Sequence, residues 1–301
     1  MREGNRLKRL RRDTKPNSRE LAAAVSLKYR ASVLSSRTLY FDAEKIRSSY
    51  FNLFSKTYDA VALDYDGTLV SLTSRRSEPS RRLIERLGEI LDSGIYLAII
   101  SGRGQSLLQL KRSLSRFNQE RLFIAMYNGS KIVMGSGGRT ILDRRVSLKS
   151  VFSSLRKNLD LAACVKDWSL KPYSIQVVPR KKSRVFMDGL CKRVGLLLPS
   201  GLSAKNSGFA IDVYPAKMTK DHCLAFIRRA VRRNLQFLRI ADQGHELGND
   251  YELLDSTGGL TVGTVSAATR GCFPVLSRRG KRFLGPSGVT YALADLFQTI
   301  G

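Results

Sequence analysis

The stretch Ala60-Val61-Ala62-Leu63-Asp64-Tyr65-Asp66-Gly67-Thr68-Leu69-Val70 constrains this chain more than any other: an apolar run that stops at two carboxylates one residue apart, then a Gly-Thr turn. In an open α/β sheet, ligands collect beyond the carboxyl ends of the strands, which puts Asp64 and Asp66 at the rim of a crevice. Two like charges this close need a cation or a proton. Magnesium, a hard cation, takes carboxylate and carbonyl oxygens and keeps waters and a substrate phosphate as its other ligands. The plain alternative is a strand that closes in an acidic Asx-type turn, with Gly67 supplying the bend.

Corroboration comes further along, in order. Tyr96-Leu97-Ala98-Ile99-Ile100 is a second unbroken apolar run of the kind parallel sheets use, and it ends in Ser101-Gly102-Arg103-Gly104. A third, Leu122-Phe123-Ile124-Ala125-Met126, leads into Tyr127-Asn128-Gly129-Ser130. Thr219 reads as the N-cap of a helix that Lys220 opens. Phe237-Leu238-Arg239-Ile240-Ala241-Asp242 is another strand with an acid at its end, followed by Gly248-Asn249-Asp250.

These four landmarks, Asp64-Tyr65-Asp66-Gly67-Thr68-Leu69, Ser101-Gly102-Arg103, Lys220, and Asp242 with Gly248-Asn249-Asp250, resemble those of the haloacid dehalogenase superfamily phosphatases. The Asn128-Gly129 pair is similar to the signature of the capped subgroup that includes the Cof-type, sucrose-phosphate and trehalose-phosphate phosphatases. The resemblance covers roughly residues 58 to 297 and departs at the fourth motif. There Ala241 replaces the usual glycine, and seven residues separate Asp242 from Asp250, implying a longer loop. The resemblance implies Asp64 as a nucleophile that forms an aspartyl phosphate, and Asp66 as the general acid and base. It further implies that Asp64, the backbone carbonyl of Asp66, Asp242 and Asp250 build a magnesium site, and that Ser101, Gly102 and Lys220 hold phosphate. Arg103, Asn128 and Gly129 are weaker candidates for contact with substrate, since the first can also face solvent and the other two can simply form a turn.

Composition frames the site. The chain has 301 residues, 43% of them hydrophobic, so one or two domains with a sizeable core are expected. No apolar run approaches the roughly 20 residues needed to cross a bilayer. Cys164, Cys191, Cys223 and Cys272 show no paired metal spacing and read as reduced thiols, which sets the expectation of a cytoplasmic protein. His222 and His245 are too few to build a zinc site. The anomaly is the net charge of +27, with a pI near 10.4, which implies attraction to polyanions or acidic surfaces. Residues 131 to 210 carry sixteen Lys and Arg against four Asp, a balance of +12. Residues 1 to 57 carry fourteen basic against five acidic residues, with Lys8-Arg9-Leu10-Arg11-Arg12 the densest cluster. The first twenty residues read as a solvated, mobile arm, dispensable for chemistry.

Alternation of strands and helices predicts a doubly wound parallel α/β sheet, a Rossmann-like core, with a small inserted α+β cap. The expected divisions are a basic extension over 1–56, the first core part over 57–130, the cap over 131–210 and the second core part over 211–301. Helices are expected over Ser18 to Leu34 and near Ala43 to Phe54 within the extension. The function this implies is a magnesium-dependent hydrolysis of a phosphate monoester, a sugar phosphate or similar small metabolite. The alternative is a polyanion-binding protein, associated with RNA, on the same scaffold; no nucleic-acid motif with interleaved aromatics appears.

Overall fold

The computed structural model describes residues 10–11, 15–34, 41–296 and 298–299. Its main sheet runs, in spatial order, Phe273–Pro274, Gly259–Thr264, Phe237–Gln243, Ala60–Asp64, Tyr96–Ile100, Leu122–Met126, Lys131–Met134 and Thr140–Asp143. The first six strands are parallel and the last two are added antiparallel. From Ala60–Asp64 the chain winds outward through Tyr96–Ile100 and Leu122–Met126, then returns to Phe237–Gln243 on the other side. That reversal makes a crevice beside Ala60–Asp64, where such sheets bind ligands.

Side-chain size differs between the two faces, and the strand alternation explains how. Val61, Leu63, Leu97, Ile99, Leu122 and Ile124 point to one face, under the helices Arg81–Asp92 and Gly285–Leu296. Ala60, Ala62, Ala98, Ala125 and Ala241 point to the other, where small side chains let the helix Lys220–Val231 lie close. Each fully buried Leu or Ile contributes roughly 1.5–3 kcal/mol, so the first face carries most of the burial energy. Helix boundaries follow local chemistry: Ser80 accepts a hydrogen bond from the Leu83 N–H, and Gly94, at φ +80°, turns the chain after Asp92.

The N-terminal segment departs from the expectation of an arm. Helices form at Ser18–Val33 and Ala43–Ser55, close to the expected ranges, the first started by a capping box between Asn17 and Glu20. Both pack into the first face of the sheet, where Ala24, Ile46, Tyr50 and Leu53 are buried. The Tyr50 ring meets Phe273 edge-on at 5.3 Å. Lys28 is buried with its Nζ above the Phe273 ring, and it donates to the carbonyls of Ala268 and Gly271. A positive charge that would be solvated on an arm here holds two loop carbonyls. Of the densest basic cluster only Leu10–Arg11 is described, paired antiparallel with Gln298–Thr299; the rest of the cluster lies outside the described residues.

The insert is a four-stranded antiparallel sheet in the order Val165–Leu170, Ile175–Pro179, Ile211–Pro215, Leu202–Asn206. Its own core joins Ile175, Val177, Ile211 and Val213 to Leu155, Leu161, Met187, Leu190 and Val194 of its helices. The expected cap boundaries therefore shift at both ends. Lys131–Met134 and Thr140–Asp143 form a hairpin that extends the main sheet, and Ile211–Pro215 belongs to the cap sheet. Strand periodicity reports which side chains are buried, but not which sheet the backbone joins. Among the described residues no helix is long and apolar enough to cross a membrane.

Candidate active site

Strand register brings the motifs together. Asp64 pairs with Ile100 and Leu63 with Ile240, so Asp64, Ser101 and Asp242 emerge at one rim of the sheet. Lys220 opens the helix on the small-residue face, with the Thr219 hydroxyl accepting from the His222 N–H. Its Nζ donates to Asp64 Oδ1 and to Asp250 Oδ1, each at 2.5 Å, in a fully buried position. Carboxylate oxygens of Asp64, Asp242 and Asp250 all lie within 4.8 Å of one another.

What each oxygen does is informative. The second oxygen of Asp250 accepts the Gln243 N–H at 3.0 Å, and Asp242 Oδ2 accepts from Gln243 Nε2 at 2.6 Å. Asp64 Oδ2 and Asp242 Oδ1 are buried with no hydrogen-bond partner among the described residues. Burial, with Asp250 nearby, pushes Asp64 up to about 7 against the pull of Lys220. Burial and the charges of Asp64 and Asp250 push Asp242 well above the carboxylate range. Lys220 is raised as well, but from the opposite cause: against burial, which would lower it, its two carboxylate partners hold it protonated. Three buried carboxylates around one ammonium leave an excess of negative charge and two idle oxygens, a donor set that fits a hard divalent cation. Gly67, at φ +84°, faces this cluster so closely that a Cβ there would overlap the Asp242 carboxylate.

Asp66 stands apart. Its carboxylate receives Arg103 through Nε at 2.9 Å and a terminal nitrogen at 2.7 Å, and Arg75 Nε at 3.0 Å. Against the burial that would raise it, those two guanidinium groups hold its carboxyl below the ordinary range. Its side chain is therefore in the base form and outside the Asp64, Asp242 and Asp250 cluster, so only its backbone carbonyl is left for the expected metal role. Arg103, expected to face substrate or solvent, also lies over the Tyr65 ring at 4.5 Å, with its guanidinium turned to the Asp66 carboxylate.

Ser101 is buried, and its hydroxyl accepts from the Arg103 N–H at 3.1 Å. The Ser101 carbonyl accepts the Asn128 N–H at 2.8 Å, which ties the two loops together beside Gly102. Tyr127 and Asn128 both take positive φ, 53° and 56°. A Cβ on Gly129 would come within 2.9 Å of the Cys223 Cβ, so this turn lets the Lys220 helix approach. The structure thus gives Asn128 and Gly129 a shaping role, although Asn128 Oδ1 is buried without a partner among the described residues.

Two participants were not legible in the sequence. Arg75 sits in Ser71-Leu72-Thr73-Ser74-Arg75-Arg76-Ser77, whose composition reads as a solvated loop. Gln243 has no motif signature, yet it donates to both acids of the fourth motif. The long spacing of that motif is explained by the cap. Leu247 O accepts the Asn206 N–H at 2.7 Å, Asn206 O accepts the Asn249 N–H at 3.0 Å, and His245 Nε2 lies 3.1 Å from Asp188 Oδ1. The extra residues dock the cap.

Comparison with known proteins places this geometry. Residues 61–165 match the model of the haloacid dehalogenase-like hydrolases. No curated protein matches the sequence. Among solved structures, a putative HAD/COF-like hydrolase from Plasmodium vivax aligns with a TM-score of 0.61 at 14% identity, over 84% of this chain and 99% of that one. IMP-bound IMP-nucleotidase from Plasmodium falciparum aligns with a TM-score of 0.58 at 13% identity, over 92% and 80%. A HAD subclass IIB sugar phosphatase aligns with a TM-score of 0.53 at 16% identity, over 78% and 97%. The chain is thus similar to the haloacid dehalogenase-like hydrolases in sequence over residues 61–165, and shares their fold across core and cap.

Proposed function

We propose that this protein is a magnesium-dependent phosphatase that hydrolyses the phosphate monoester of a small metabolite, a sugar phosphate or a compound of similar size. One observation carries the reading: Asp64 and Asp242 each keep a buried carboxylate oxygen without a partner among the described residues, beside an ammonium that neutralises only part of the charge. Asp64, Asp242 and the backbone carbonyl of Asp66 hold the cation, with Asp250 fixing Lys220. Bound there, magnesium supplies Lewis-acid polarisation and charge neutralisation.

The rest is done by the chain. Asp64 attacks phosphorus to give an aspartyl phosphate, which divides one hard hydrolysis into two easier steps. Lys220 and the Ser101–Gly102 loop hold the transferring group, because phosphoryl transfer asks mainly for positioning and charge neutralisation. Asp66 in its base form takes the proton of the attacking water. To protonate the leaving oxygen first, it must be released in part from Arg75 and Arg103 and take up a proton from solvent, which it passes to the leaving oxygen and regains from the attacking water. A cytoplasmic setting fits the four unpaired cysteines. The assembled cluster argues against the polyanion-binding alternative, since a scaffold kept only for its charge has no need of buried catalytic carboxylates.

The test is phosphate release from a panel of sugar phosphates, nucleoside monophosphates and other small monoesters, with magnesium and with chelator. Magnesium-dependent turnover of at least one class supports the reading, and strongest turnover of sugar phosphates supports the substrate class. A folded protein that releases no phosphate from any ester in magnesium overturns it.

A further inference from the structure

A second concentration of charge lies away from the catalytic carboxylates, where the N-terminal helix, the cap and the core meet. Arg30 from the helix Ser18–Val33, Arg184 from the cap helix Arg184–Leu196 and Arg282 from the core line one cavity of about 420 Å³. Its floor is apolar, with Leu27, Ala31 and Val265, and no acidic residue lines it among the described residues. Arg282 gives one terminal nitrogen to the Gly263 carbonyl, while its Nε is buried with no partner among the described residues. Arg184 reaches Asp188 at 3.5 Å, and Arg30 has no ion pair among the described residues. A smaller adjoining cavity of about 130 Å³ shares Ala31, Leu34, Arg184 and Val265, and adds Lys192 with the acids Asp188 and Glu246, so the positive balance belongs to the larger cavity.

We propose that this cavity is a second anion site that takes a phosphate group, either as the free ion or as the head of a small organic phosphate. Three guanidinium groups line this space against one neighbouring carboxylate, Asp188, so a positive balance remains, and Arg282, the least exposed of the three, is where an anion is felt most. Guanidinium forks match the spacing of phosphate oxygens, which favours phosphate over a simple halide. A cavity of this size is within the range of small-ligand sites. Because the three arginines come from three parts of the chain, a bound phosphate fastens the cap to the core. Arg282 also lines a third cavity that reaches Asp242, so the site lies one side chain from the catalytic cluster without using any of its residues. The proposal does not depend on the hydrolytic reading above.

The experiment is calorimetric titration of the full chain in magnesium with inorganic phosphate and, separately, with benzylphosphonate, an organic analogue that is not hydrolysed. The wild type should show two sites, and Arg30→Glu with Arg184→Glu should weaken one at least tenfold while leaving the other and the turnover of p-nitrophenyl phosphate unchanged. Two sites with phosphate alone assign the free ion; two with both probes assign any phosphate head. If the double variant melts early, Arg30→Gln alone, at an exposed position, provides the same comparison. Binding that is unaltered at every site in a folded variant, or no binding of either probe by the wild type, would overturn the assignment.

Discussion

Asp242 and Asp250 differ in what their oxygens already do. Both oxygens of Asp250 are taken, by Lys220 and the Gln243 N–H, whereas Asp242 keeps one idle. Asp242→Ala is therefore expected to weaken magnesium binding at least tenfold, and more than Asp250→Ala, whose main effect should fall on turnover through a misplaced Lys220. The opposite order in a metal titration would make Asp250 the direct ligand. Gly67→Ala should also impair the site, since it forces a Cβ into the Asp242 carboxylate at a positive φ that costs L-residues about 1 kcal/mol or more. Magnesium affinity should fall together with thermal stability, and an unchanged affinity would contradict this packing. The acids and Lys220 were legible because each ends a strand or starts a helix. The Arg75 and Arg103 grip on Asp66 was not, because a pairing across a folded loop leaves no local pattern.

Among the elements, the two N-terminal helices show where sequence reading succeeded and where it failed. Their ranges were visible, and the structure adds the caps at Asn17, Glu20 and Asp42 that set them. Their partner was not, because a basic amphipathic helix looks the same on solvent as against a sheet edge. Burial makes Lys28 sensitive to pH: it lowers the ammonium from 10.5 to about 8, partly offset by the nearby Cys272 and Asp255. The unfolded chain then binds more protons between those values, so this residue's contribution to stability is present above 10.5 and lost as pH falls through 8. Relative to Lys28→Met, the wild type should gain on the order of 3 kcal/mol across that window, read from denaturant unfolding at each pH. A difference that does not change with pH would place Lys28 in water. Deleting residues 1 to 40 removes the first helix from the core, and a marked loss of thermal stability is expected where an arm would give none. The hairpin Lys131–Asp143 likewise joins the main sheet, where the cap had been expected to begin.

For the molecule as a whole, the cap carries the charge to the site. Lys182 lies 4.1 Å from the centre of the Phe209 ring, which Arg75 also covers at 3.9 Å while pairing with Asp66. The basic run Arg180-Lys181-Lys182 is thus linked to the catalytic rim through one aromatic ring. Reversing these three charges should raise KM for an anionic ester severalfold with little change in kcat, and the effect should shrink with salt, which screens exposed charges over about 8 Å at physiological strength. A KM that does not respond would place the run outside the substrate's path. The parallel core was foreseeable from the alternation of apolar runs, and an inserted cap from the resemblance of the motifs, though not its bounds; the docking of cap onto the fourth-motif loop was visible only as an unexplained spacing. The most direct measurement of the central claim is phosphate release by Asp64→Asn beside the wild type in saturating magnesium, with circular dichroism on both. The account predicts an intact fold and a loss of turnover on the order of a thousandfold or more, as expected when a nucleophile is removed. Near-normal magnesium-dependent turnover by the folded variant would contradict it.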